Sequence, residues 1–189
     1  MTLERLSIEA KRCMVCADHL PLGPRPVFRV SETARLLIIS QAPGTKVHLT
    51  GLSFNDASGD RLRRWMAIGR EAFYDQSRIA ILPMGFCYPG ILSNGGDAPP
   101  RRECAPLWHA KFLRLMPALQ LTLLVGSYAQ AYYLGPGSMT SRVANFAAHP
   151  GYFALPHPSW RTIGWERRNL WFAETVLPAL QTAIGELLK

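Results

Sequence analysis

Four short apolar runs constrain this chain more than any other feature: residues 36–40, residues 78–83, Leu121–Val125 and Tyr152–Leu155. The first two are continuous rather than alternating, the pattern of strands buried on both faces. Between the runs lie stretches with helical spacing, at residues 60–68 with an extension at 71–74, 102–116, 127–133 and 138–148. A first helix is expected over residues 2–13, and a closing one over residues 165–188, interrupted at Pro178. Strands alternating with helices predict an α/β fold: three αβα layers around a four-stranded, mainly parallel sheet.

The 189 residues are enough to bury a sizeable core in one domain, expected to span residues 1–189. No repeat, low-complexity tract or linker divides them. An apolar fraction of 48% argues against disorder, and no apolar run reaches membrane-spanning length. The opening residues carry acids in an amphipathic pattern, unlike a secretory signal, so a cytoplasmic protein is expected.

Charge narrows the partners. Lysine and arginine number 21 against 13 acids, a net +8, which favours a polyanion and nucleic acid above all. The clusters are Arg61, Arg63 and Arg64; Arg101 and Arg102; and Arg161, Arg167 and Arg168. A merely solubilising surface explains the charge equally well, so motifs must decide.

Residues 40–64 read as a long loop of small, polar, Gly and Pro residues with one aromatic, Phe54, running from the first strand into a helix at Asp60. Loops of this length are uncommon unless functional, and open α/β sheets bind ligands at such strand ends. The alternative is an idle surface crossover. At the other end of the chain His157 stands between Pro156 and Pro158 directly after the fourth run, followed by Ser159, Trp160 and Arg161. A lone histidine is more often structural than catalytic. One held between prolines at a strand end fits a site better.

The four cysteines can share one site. Cys13 and Cys16 form a CxxC, and Cys87 and Cys104 flank the Gly/Pro/Asn loop after the second run. In a cytosolic chain this favours a metal centre over disulfides. Four thiolates suit a [4Fe–4S] cluster; they also suit tetrahedral zinc, or the thiols are unligated small hydrophobes. A filled site would pin the N-terminal segment beside the loop after strand two, a structural role.

Taken together and in order, Ala42-Pro43-Gly44, then Thr50, Gly51 and Phe54, then Asp56-Ala57-Ser58-Gly59, the cysteine spacing and His157-Pro158-Ser159 resemble the uracil-DNA glycosylase superfamily. The likeness is greatest to its iron–sulfur branches, families four and five, and runs from about Cys13 to about Asn169. It implies a uracil-DNA glycosylase-like fold and hydrolysis of the N-glycosidic bond of uracil or another deaminated base. The base must leave the DNA stack to be reached. The partner implied is damaged or single-stranded DNA, bound by a monomer.

The resemblance also implies roles. Phe54 matches the base-stacking phenylalanine and His157 the histidine at the base oxygen. Asp56 matches, one residue displaced, the family-five aspartate that orients water at an oxocarbenium-like sugar. Backbone amides at Gln41, Ala42 and Gly44 are expected around the base, Ser159 and Arg161 on the DNA backbone, and Trp160 or Arg161 as a wedge. The arginines at 61, 63 and 64 are expected near the phosphates. Two positions depart from the pattern: Ala42 replaces the Asp or Asn of several branches, and Pro83 replaces an asparagine that reads uracil in family four. They imply a base choice wider than uracil, with Lys46, His48 and Asn55 as nearby polar residues. Two alternatives accompany this reading: a catalytically weak damage-sensing module on the same fold, with zinc or no metal, and a covalent base-holding protein with His48 as nucleophile.

Overall fold

Leu36, Leu37, Ile38 and Ile39 have no solvent exposure, and the strand they form, β1 (Leu36–Ile39), lies inside the sheet. A computed structural model describes residues 1–93 and 95–189; Asn94, in the Gly/Pro/Asn loop expected between Cys87 and Cys104, lies outside the described residues. The remaining strands are β2 (Ile79–Ile81), β3 (Leu121–Val125) and β4 (Tyr152–Leu155), in the order β2-β1-β3-β4. Every pairing is parallel, with Leu36 opposite both Ile79 and Leu121, and Thr122 opposite Tyr152.

Alternate side chains of the strands feed two cores. Leu36, Ile38, Ile79, Ile81, Leu123 and Val125 pack with α3 (Ala57–Met66), α4 (Arg70–Tyr74), α7 (Met139–Ala144) and α9 (Leu177–Leu187). Leu37, Ile39, Ala80, Leu82 and Leu124 pack with α1 (Leu3–Lys11), α5 (Cys104–Leu113) and α6 (Ser127–Leu134). The three-layer αβα sandwich is therefore as expected. Each buried aliphatic side chain in it contributes about 1.5–3 kcal/mol of transfer free energy. Among the described residues no helix is long and apolar enough to cross a membrane.

Several element boundaries differ from the sequence reading. The 40–64 segment is not irregular throughout, for it holds α2 (Thr45–Thr50), closed by Gly51 at φ 70°. The helix expected from Asp60 begins at Ala57, because the Asp56 carboxylate accepts the Gly59 N–H at 2.8 Å and starts it three residues earlier. The 102–116 and 138–148 helices are shorter, as α5 and α7, the latter followed by a 3₁₀ turn at Phe146–Ala148. The closing helix breaks not at Pro178 but at Asn169, after α8 (Ile163–Arg168). A π-helical turn, Phe172–Val176, then leads directly into α9, with Pro178 in its first turn.

The strand order places a reversal at β1. The chain leaves it for β2 on one side, returns through α5 to β3 on the other, and so leaves a crevice beyond the carboxyl ends of β1 and β3. The loop after β1 is tied to the loop after β2: the Met84 and Gly85 N–H groups donate to the carbonyls of Ser40 and Gln41 at 2.8 and 3.0 Å. His109, buried on α5, braces the same end. Burial lowers its pKa to about 4, so the ring is neutral at pH 7. The assignment that satisfies both ring nitrogens has Nε2–H donating to the Pro83 carbonyl (3.0 Å) and Nδ1 accepting from the Tyr133 hydroxyl (2.7 Å).

Candidate active site

The crevice holds a pocket that is open to solvent, with about 520 Å3 of space between its walls. Ser40, Ala42, Pro43 and Gly44 from the loop after β1 line it, with Ser53, Phe54, Asp56 and Ser58 from the end of that segment. Pro83, Asp97 and His157 complete its polar and rigid walls. An outer channel opens beside it, lined by Gln41, Ser58, Gly95, Asp97, His157, Ser159, Trp160 and Arg161. Residues from both ends of the chain thus meet, as the sequence predicted for Ala42, Gly44, Phe54, Asp56 and His157. Gln41 lies in the outer channel rather than in the inner pocket.

Phe54 is buried and held in an unusual conformation, with φ 56° in the left-handed region that a bulky side chain rarely adopts. Its surroundings fix it. The Arg63 guanidinium donates to its carbonyl at 3.3 Å, the Tyr74 hydroxyl donates to the Ser53 carbonyl at 2.9 Å, and its ring meets Phe73 edge-on at 5.8 Å. Such backbone strain persists only where the structure over-determines it, and it gathers at ligand clamps. Asp56 follows. One of its oxygens is committed to capping α3.

His157 is half-buried at the end of the β4 loop. Burial lowers its pKa, against the opposing charges of Asp56 and Asp97, so its imidazole is uncharged at neutral pH. The backbone of its loop is secured through carbonyls: the Thr162 hydroxyl lies 2.9 Å from the His157 oxygen and 2.7 Å from that of Ser159. Gly126 adjoins the His157 side chain after β3, and its φ of 92° is the backbone conformation that calls for glycine there.

The arginines behave differently from the sequence expectation. Arg63 is buried, pairs with Asp60 at 2.5 Å and lies over the Phe73 ring. Arg61 pairs with Glu166 and donates to the Ser159 carbonyl at 2.7 Å. Both are struts for the pocket walls rather than phosphate contacts, because burial and carboxylate partners engage them; only Arg64 of the three is exposed. Arg161 is exposed and donates to the Gly95 carbonyl at 3.2 Å, bridging the His157 loop to the segment carrying Asp97. Trp160, 74% exposed, stands at the channel mouth. His48 is buried on α2 against Tyr88 and does not line the pocket; Asn55 accepts a hydrogen bond from Arg70. Lys46 is exposed on the same helix.

Ser40, Ser53, Ser58 and Asp97 are polar pocket residues that sequence reasoning missed. Ser58 stood inside a motif quoted for its neighbours. Asp97 stood in a Gly-rich segment before Pro99 and Pro100, where the only signal was an isolated acid in a basic chain.

The cysteines gather on the other face of the loop after β2. Cys13 follows α1, Cys16 precedes a 3₁₀ turn at Ala17–His19, Cys87 lies after β2 and Cys104 opens α5. All four line one pocket walled by Val15, Leu20, Phe86, Leu107 and Trp108. Burial pushes the Cys87 thiol to about 11 and the Cys104 thiol to about 12, so both are protonated unless a cation is bound. Amide donors stand ready for thiolates: the Phe86 N–H lies 3.3 Å from Cys104 Sγ, and the Arg25 backbone donates to Cys87. Among the described residues no group of three or more His, Cys, Asp or Glu forms a site that could hold a metal ion. The donor chemistry and the shared cavity nonetheless fit a thiolate-bound group.

Comparison with known families agrees with this geometry. The family model described as the uracil DNA glycosylase superfamily matches residues 28–181, a span containing every residue of the pocket except Val27, which adjoins it. With that match laid over the parallel sheet and the crevice at β1, the chain belongs to the uracil DNA glycosylase superfamily.

Proposed function

We propose that the protein is a monofunctional DNA glycosylase that hydrolyses the N-glycosidic bond of uracil or another deaminated base as a step of DNA repair. The observation that carries this reading is the convergence of Phe54, Asp56 and the neutral His157 on one pocket at the carboxyl ends of the strands. A base turned out of DNA fits such a site, stacked on Phe54 with an oxygen facing the His157 N–H. As the bond breaks, the base gains negative charge and the sugar positive charge. A donor at the first and a carboxylate near the second stabilise the transition state more than the ground state. Asp56 supplies negative charge there while capping α3.

Ala42 and Pro83 line the pocket without side-chain hydrogen-bonding groups, which supports a choice of base wider than uracil. Ser159 and Arg161 at the outer channel suit the strand on either side, and the net charge of +8 suits DNA. The test is base release from a panel of single- and double-stranded oligonucleotides carrying uracil, hypoxanthine, xanthine or a mismatch. Abasic-site formation on at least one of them is expected; none on any would remove the assignment.

The four cysteines are proposed to hold a structural [4Fe–4S] cluster. Such a cluster would tie the segment after α1 to the loop after β2 and the start of α5, behind the pocket walls. Protein purified without oxygen should then be brown and carry roughly four irons per chain, the number of a four-cysteine cluster. Cys104→Ser should lose the colour and most of the iron, and melt at lower temperature. Colourless wild-type protein carrying one zinc would overturn this and favour zinc.

A further inference from the structure

Among the described residues, two acids line the base pocket, and they are not equivalent. Asp56 is built into the fold, with Oδ1 accepting the Gly59 N–H at the start of α3. Asp97 comes from the segment after β2, is exposed, and lines both the inner pocket and the outer channel, where water enters. It shares both linings with His157 and lies close enough for its charge to act on that imidazole.

Asp97 and its neighbour Ala98 are tied back by backbone contacts. Asp97 bridges Ile91 in antiparallel fashion, and the Ala98 N–H donates to the Gly90 carbonyl at 2.9 Å. Arg161 reaches across from the His157 loop to the Gly95 carbonyl, and Pro99 and Pro100 stiffen the exit. A carboxylate that lines both the pocket and the channel, beside Ala42 and Pro83 whose side chains bring no proton acceptor, is placed to take a proton from water.

We propose that Asp97 is the catalytic carboxylate that binds and orients the attacking water. This rests on the glycosylase reading above. The bond between the sugar carbon and the base nitrogen breaks, and its electron pair leaves with the base. The water oxygen bonds to that carbon, one water proton passes to Asp97 and the other remains as the new hydroxyl. The base is protonated from solvent, and Asp97 returns its proton to solvent. Water is the sole co-reactant, and nothing is oxidised or reduced. Asp56 then serves by its charge and its cap, and His157 by its N–H.

The experiment is single-turnover base release by wild-type, Asp97→Asn and Asp97→Glu protein, with binding to DNA carrying an abasic analogue and thermal melting measured on each. Asp97→Asn should slow release by about 10²-fold or more, the range for a general base, while melting is unchanged. Binding should hold or tighten, because a negative charge near phosphates is removed. Asp97→Glu should keep more activity than Asp97→Asn. An Asp97→Asn protein as fast as wild type, or slowed only in step with weaker binding, would overturn the proposal. Wild-type protein that releases no base overturns the glycosylase reading and this assignment with it; wild-type turnover with an indifferent Asp97→Asn overturns this assignment alone.

Discussion

His157→Ala is expected to lower single-turnover base release by roughly 10²–10³-fold, the effect of deleting one preorganised donor to a developing anion. The imidazole is half-buried and uncharged, so its N–H acts where less water screens it than at an open surface. The variant should fold. The loop is held by Thr162 and Arg61 through the carbonyls of His157 and Ser159, and no side-chain bond from the imidazole is needed to keep it in place. His157→Asn, which keeps an N–H donor on a shorter arm, should recover part of the loss. Release measured at saturating enzyme, with melting curves for both variants, decides the matter. Wild-type release by a folded His157→Ala protein would take the histidine out of the chemistry.

The sheet was legible in the sequence because parallel strands buried on both faces need short, predominantly apolar runs, and this chain has four of them. Helix ends were harder. Asp56 starts α3 through a side-chain bond to Gly59 that a hydrophobic pattern does not register, so the helix begins ahead of its apolar stripe. Pro178 looked like a breaker, yet the helix continues past it, with the change from π-helical to α-helical bonding falling just before it.

The site was legible where residue type and position coincide. Phe54 is the lone aromatic of its segment, and His157 is clamped by prolines. Charge misled at Arg61 and Arg63, because sequence cannot tell a solvated guanidinium from one enclosed by Glu166, Asp60 and aromatic rings. It was silent on Asp97, whose importance arises only when the segment after β2 folds back beside the β4 loop. The same long-range closure brings Arg161 to Gly95, 66 residues away.

Gly59→Ala should be among the most damaging single-methyl additions available in this chain. A Cβ at position 59 would fall 1.8 Å from the Phe54 carbonyl oxygen, 2.6 Å from its carbon and 2.8 Å from its Cβ. Those are mainly backbone atoms, so no rotamer change relieves the clash. Either the first turn of α3 retreats, weakening the cap from Asp56, or Phe54 leaves its left-handed conformation and its bond from Arg63. Both movements open the wall on which a base would stack. The expected cost is about 2–3 kcal/mol of stability, the upper part of the overpacking range, with base release lowered at least as far as in His157→Ala. Gly185→Ala is the matched control. Its Cβ meets nothing within 4 Å on the exposed side of α9, and it should stabilise the protein by about 0.5–1 kcal/mol through lower chain entropy alone. Chemical denaturation of the two variants, with release assayed below the transition, separates the outcomes. A Gly59→Ala protein with wild-type stability and rate would mean that α3 and Phe54 do not pack together as closely as 1.8 Å implies.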